Sequence, residues 1–269
     1  MKKIFTLILS LLFTQFIFGG ELFPDFKPRP FNLGDKLEPD ATIGGYPIWQ
    51  GEGKWRIFEL EKSDTTGKPP IPLAKARLFQ TEGKQWVAGM EIRSNLQSGN
   101  SYWLGEPCKR EDMLFKLQLA GGKEDNCVTI NHLTRYMSNP AGKLGELYAL
   151  FKEQGIDIPP TVLRIQFTRN GQSSKMLHYI IDINPEVMGF QRESEPEWGR
   201  NPWNKTMSFN DPAKKQFIEA LTAWATTFVK QMDDGLRQKP EAFTGIVSWR
   251  TIMNGVVKID NTKPKVALD

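Results

Sequence analysis

Apolar and polar positions alternate with a period of two in several stretches and recur at helical spacing in two others. Leu163, Ile165 and Phe167 fall on one side of the two-residue period, and Arg164, Gln166 and Thr168 on the other. That is the pattern of a strand whose two faces meet different surroundings. Asn170-Gly171 follows as a turn pair, and Leu177, Tyr179, Ile181 and Ile183 repeat the period, so this segment predicts a hairpin. Met113, Phe115, Leu117 and Leu119 alternate with Leu114, Lys116 and Gln118, and the turn-rich residues 121–126 lead into a strand from Cys127 to His132. Lys54 to Leu60 is a short β-favourable run, and Ala76 to Gln80 and Gln85 to Arg93 flank a four-residue, glycine-containing connection.

Helical spacing marks two segments. Asn139 and Pro140 form a cap and first-turn pair ahead of Leu144, Leu147, Tyr148 and Phe151, with Gly155 just beyond. Asp211-Pro212 opens the second, where Phe217, Ile218, Leu221, Trp224, Ala225, Phe228, Val229 and Met232 make a broad apolar stripe ending before Gly235. That stripe is expected to cover the sheet. Residues 184–210 show neither period, and long irregular connections in compact domains often carry function. Short strands are expected at Gly245 to Trp249 and Val256 to Ile259. Residues 21–54 hold Pro24, Pro28, Pro30, Pro39 and Pro47 among many glycines, which predicts an irregular arm. Its aromatic residues, Trp49 among them, predict that it packs on the rest of the chain.

Strands grouped with a few helices, without strict alternation, predict an α+β fold: a mainly antiparallel sheet with two covering helices, one disulfide and a Pro/Gly-rich N-terminal arm. The expected organisation is a signal peptide over 1–20, the arm over 21–54, and a single α+β domain over 55–269. The signal rests on Lys2 and Lys3, an almost unbroken apolar run from Ile4 to Phe18, and the small residues Gly19 and Gly20 before Glu21. A cut after Gly19 or after Gly20 fits equally. The run of about 15 residues is shorter than the roughly 20 a spanning helix needs, and no later segment is apolar enough to cross a membrane. The reading is therefore an exported, soluble protein, periplasmic or secreted.

Composition narrows the partners. The chain has 35 basic and 31 acidic residues and a formal charge of +4; losing Lys2 and Lys3 leaves 4 − 2 = +2. A balance of that kind, without a concentrated basic face, argues against nucleic acid. Cys108 and Cys127 are the only cysteines, and in an oxidising compartment a lone pair reads as a disulfide. If residues 113–132 form a simple hairpin, Cys127 lies opposite about residue 120, so the bond ties the segment before the hairpin to its second strand.

No Gly-x-Ser-x-Gly, Ser-x-x-Lys, His-Glu-x-x-His, phosphate-loop or dinucleotide motif is present. No catalytic residues, metal or cofactor are therefore expected. His132 and His178, the only histidines, read as hydrogen-bonding residues on half-buried strands. The long connection holds Glu193, Glu195, Glu197, Trp198, Arg200 and Trp203. In extended chain, alternate glutamates point the same way, roughly 7 Å apart, a spacing that permits paired carboxylates. Eight tryptophans is a high count, and those in loops either plug the core or face a ligand. The candidate ligand surface is thus Trp49 with Glu193, Glu195, Glu197, Trp198, Arg200 and Trp203. The expected function is a non-catalytic binding or envelope-associated protein, its partner an envelope glycan, peptide or protein. The rival is a hydrolase acting on glycan or peptide through the loop carboxylates.

Overall fold

The computed structural model describes residues 17–66, 69–98, 106–120, 125–135, 143–170, 176–236 and 246–251. Its strands are β1 (Ile17–Phe18), β2 (Lys36–Leu37), β3 (Thr42–Ile43), β4 (Tyr46–Pro47), β5 (Arg56–Asp64), β6 (Pro72–Glu82), β7 (Gln85–Asn95), β8 (Phe115–Ala120), β9 (Asp125–Thr134), β10 (Thr161–Asn170) and β11 (Met176–Ile183). Its helices are α1 (Glu106–Lys109), α2 (Lys143–Glu153), α3 (Lys205–Ser208) and α4 (Pro212–Leu236). The fold is α+β. One nine-stranded sheet runs β1-β2-β5-β6-β7-β11-β10-β9-β8, and β3 and β4 form a separate two-stranded ribbon. Only β1 and β2 pair in parallel; the other pairings of the large sheet are antiparallel.

The sheet joins two meanders. One is β5-β6-β7 and the other β8-β9-β10-β11, and the last strand of the second returns to pair with the last of the first. The alternation in the sequence decides which face is buried. Leu163, Ile165 and Phe167 of β10, Tyr179 and Ile181 of β11, and Met90 and Ile92 of β7 share one large core with Phe217, Leu221, Trp224 and Phe228 of α4. Asp211 caps α4 by accepting from the Ala213 and Lys214 amides (2.9 and 3.2 Å), as its place before Pro212 predicts. The helix runs past Gly235 to Leu236 rather than stopping before it. α2 covers the other face at one end, where Leu147 and Phe151 meet Phe79, Trp86, Ile158 and Val162.

Cys108 in α1 and Cys127 in β9 are disulfide-bonded, with Cα atoms 5.7 Å apart. Cys127 pairs in register with Gln118, and a bulge between Gln118 and Ala120 shifts it from the expected residue 120. The bond joins the β7–β8 connection to β9, as expected of a staple between neighbouring elements.

The arm is less irregular than its prolines and glycines imply. Gly44 and Gly45 both have positive φ (58° and 78°), which closes the β3–β4 ribbon as a tight turn. The Glu21 carboxylate is clasped there, accepting from the amides of Phe23 (2.9 Å), Gly45 (2.9 Å) and Gly44 (3.2 Å) and from the Thr42 hydroxyl (3.1 Å). Just before it, the Gly20 carbonyl accepts from the Thr42 amide (2.8 Å) and the Gly19 carbonyl from Arg29 (2.7 Å). Leu22, Phe23, Leu37, Ile43, Ile48 and Trp49 all enter the main core. The strand expected at Gly245 to Trp249 is not formed: Ile246 to Ser248 has no regular structure, and Trp249 to Thr251 takes helical geometry. There the Ile246 and Val247 carbonyls accept from the indoles of Trp49 and Trp224. The expected strand at Val256 to Ile259, the cap at Asn139-Pro140 and Gly171 lie outside the described residues. No helix among the described residues is long and apolar enough to cross a membrane.

Candidate functional site

The loop proposed from sequence is a strap across the end of the core, and its residues do not stay together at one surface. Trp203 is fully buried, edge-on to Phe190 (4.9 Å between centroids) and near Phe217 (6.0 Å). Trp49 lies in the core between Trp224 and Phe228 (5.9 and 5.3 Å). Both rings plug the fold, because the arm and the strap each cross an apolar layer that needs large side chains to fill it. Trp198 is half-buried and stacks on His132 at 4.7 Å.

The acids of the strap have cations of their own. Glu193 accepts from Lys214 at 2.8 Å, and that buried ammonium also lies 5.3 Å from the Trp203 ring. Glu195 and Glu197 share the exposed Arg200 (3.7 and 3.3 Å). Side-chain hydrogen bonds fix the strap on β9 and β10. Asn201 donates to the Thr161 hydroxyl and the Glu195 carbonyl (both 3.0 Å), and Thr161 donates to the Glu193 carbonyl (3.1 Å). His132 Nε2 donates to the Trp198 carbonyl at 3.0 Å, which places the ring proton on Nε2. Burial lowers the His132 pKa, partly offset by that carbonyl and by Asp112.

The sheet register places the second histidine on the opposite face. His132 pairs with the core residue Leu163, whereas His178 pairs with Thr168 and Arg93, so the two rings cannot act as a pair. His178 belongs to a polar sheet face that sequence reading did not assemble. One row across the strands runs Glu61, Lys75, Arg93, His178, Thr168, Cys127; the next runs Glu59, Arg77, Glu91, Ile180, Gln166, Thr129, Lys116. Arg164 and Asp182 face each other in a third, joined by two bonds of 2.7 and 2.8 Å.

The charges on this face neutralise one another. Arg77 bridges Glu59 (2.7 Å) and Glu91 (2.6 Å), Arg93 pairs with Glu91, and Lys75 with Glu61 and Glu59. Burial alone would raise the Glu91 pKa, but Arg93 and Arg77 outweigh it and hold the carboxyl below its ordinary range. The Lys75 hydrogen bond does the same for Glu61. His178 donates to Asn170 Oδ1 at 2.8 Å, and burial with the nearby Arg93 lowers its pKa to about 4. It is thus neutral at pH 7. Four carboxylates (Glu59, Glu61, Glu91, Asp182) meet four cations (Lys75, Arg77, Arg93, Arg164), and the fifth cation, Lys116, pairs with Glu111 beside β8, so the charges of the face are balanced. α2 flanks it at one end and the α1 disulfide at the other.

The sequence signal for this face was the polar half of each alternation. Its assembly was hidden because β7 pairs with β11, across about 80 residues of chain. Among the described residues, no three His, Cys, Asp or Glu side chains group as a metal site. No family model, curated protein or solved structure matches this chain.

Proposed function

We propose that the chain is exported and acts as a non-catalytic binding protein, with the charged sheet face as its ligand surface. The observation that supports this reading most is the neutral ladder of paired charges on the sheet face between α2 and α1. A surface dense in hydrogen-bonding groups but without net charge suits a neutral, hydroxyl-rich ligand such as an envelope glycan better than an anion or a polycation. Export draws support from the order of charge, apolar run and small residues over 1–20, and from the disulfide, a bond that persists in oxidising compartments. The hydrolase reading gains nothing from the strap, whose carboxylates are bound by Lys214 and Arg200.

The test is a thermal-shift screen of the processed protein against envelope glycans and peptides. Positive ligands are repeated on Arg164→Ala/Asp182→Ala and on Glu195→Gln/Trp198→Ala. Loss of the shift in the first double variant and its retention in the second is the expected result. The reverse pattern returns the site to the strap, and turnover of the ligand restores the hydrolase. N-terminal sequencing of the protein recovered from outside the cytoplasm should begin at Gly20 or Glu21.

A further inference from the structure

We propose that a cavity at the β5 end of the charged face seats the terminal sugar of a neutral glycan lying along the charged rows. The inference rests on the charged-face reading and deepens it by naming one subsite. The cavity, of about 570 Å³, is bounded by β5, the arm and α2. Its size falls within the roughly 300–1,000 Å³ of small-molecule sites. Both charged rows run into it: Glu61 ends one and Glu59 the other, and each lines the cavity. Six inter-strand spacings separate β5 from β8 across the sheet, about 29 Å at about 4.8 Å each. A face of that length takes an oligosaccharide, and the arm and α2 wall its β5 end.

The walls supply both surfaces that a sugar ring calls for. A pyranose has apolar C–H faces and a rim of hydroxyls, so it suits an aromatic or aliphatic surface beside hydrogen-bond acceptors. Phe31 and Leu33 of the arm and Phe58 of β5 provide the first, and Leu33 is 45% exposed. Phe58 is the extra residue of the bulge between Ile57 and Glu59. The bulge turns it to the α2 side, where it packs against Phe79, Trp86 and Leu147, while Ile57 stays in the main core. Phe58 and Glu59 therefore share a face although adjacent in sequence, which sets ring and carboxylate side by side. Glu59 and Glu61, with Glu146 of α2, provide the acceptors. Glu59 is 6% exposed and is held by Arg77 (2.7 Å) and Lys75 (3.5 Å), and Glu61 is held by Lys75. These two acids are already neutralised, so they do not call for a cationic ligand. Each of those ion pairs runs through Oε2, and a carboxylate offers about four lone-pair positions, which leaves acceptor capacity for hydroxyl donors.

The probes are cellotetraose, maltotetraose and chitotetraose, neutral oligosaccharides of different linkage and substituents, titrated calorimetrically into the full processed chain. Saturable binding of at least one is expected, weakened at least about tenfold by Leu33→Asp and by Glu61→Gln. Both side chains are exposed enough for the variants to fold, and melting temperatures check this. With the leucine methyls labelled for NMR, the Leu33 resonances should shift as the probe saturates the protein. Arg164→Ala/Asp182→Ala separates the subsite from the wider face. Binding lost in that double variant but kept in Leu33→Asp and Glu61→Gln, with the Leu33 resonances unmoved, overturns the subsite and leaves the charged face standing. Binding lost in Leu33→Asp and Glu61→Gln but kept in the double variant supports the subsite and removes the rest of the face. Binding of none of the three probes overturns the subsite; a peptide or charged glycan that then needs Arg164 and Asp182 in the thermal-shift screen keeps the charged-face reading.

Discussion

At the scale of single residues, the two histidines show how one side chain type serves two purposes. His132 uses its Nε2 proton to hold the strap and stacks under Trp198. His178 sits among paired charges with its imidazole neutral. Its folded pKa of about 4 lies below the 6.5 of an unfolded histidine. The unfolded chain therefore binds the extra proton between those values, and stability falls as pH drops from 6.5 towards 4. His132 is shifted the same way and adds to the loss. A shift of that size corresponds to roughly 3 kcal/mol for a fully buried ring, and the partial exposure of His178 brings the expected loss nearer 2 kcal/mol. Urea denaturation at pH 7 and pH 4.5 should show this loss, and His178→Gln should flatten it. An equal pH dependence in both proteins would count against the assignment.

Elements differ in how openly the sequence declared them. The β6–β7 and β10–β11 hairpins and α4 are legible because their apolar periods are long and their turns or caps are local. The α1–β9 staple is legible too, since two cysteines leave one pairing. Replacing both with alanine should cost about 3 kcal/mol for a separation of 19 residues, read from denaturant midpoints. What the sequence concealed is orientation inside aperiodic stretches. Trp49 and Trp203 sit in loops, and nothing local says whether a loop aromatic turns inward. The core decided it, by leaving space over β10 and α4 that only large rings fill. The charged ladder was concealed differently: Lys75, Arg77, Glu91 and Arg93 read as ordinary wet-face residues until the β7–β11 pairing set them beside His178 and Asp182.

For the whole molecule, the arm is the part whose importance sequence understated. Its six named core residues share one core with residues of β5 and α4, and Trp49 by itself touches α4, β11 and Ile246. The Tyr179 hydroxyl donates to the Trp49 carbonyl at 3.0 Å, joining arm to sheet centre. Burying even a handful of such side chains contributes about 1.5–3 kcal/mol each, comparable in sum to the stability of an entire domain. A chain beginning at Gln50 is therefore expected to lose its cooperative thermal transition, measured by calorimetry. A sharp transition in that truncation would show that the sheet and α4 suffice without it.

The clasp around Glu21 sets an order of events. In the folded chain Gly19 and Gly20 are tied by Arg29 and Thr42, and the residue after them is locked into the Gly44-Gly45 turn. A peptidase cuts chain that is free and extended. On the proposed cleavage, the leader has to be removed while the arm is still loose, and the fresh end then closes into its own socket. A precursor that folds early hides its scissile bond, so maturation becomes a race between cutting and folding that slow closure of the arm would favour.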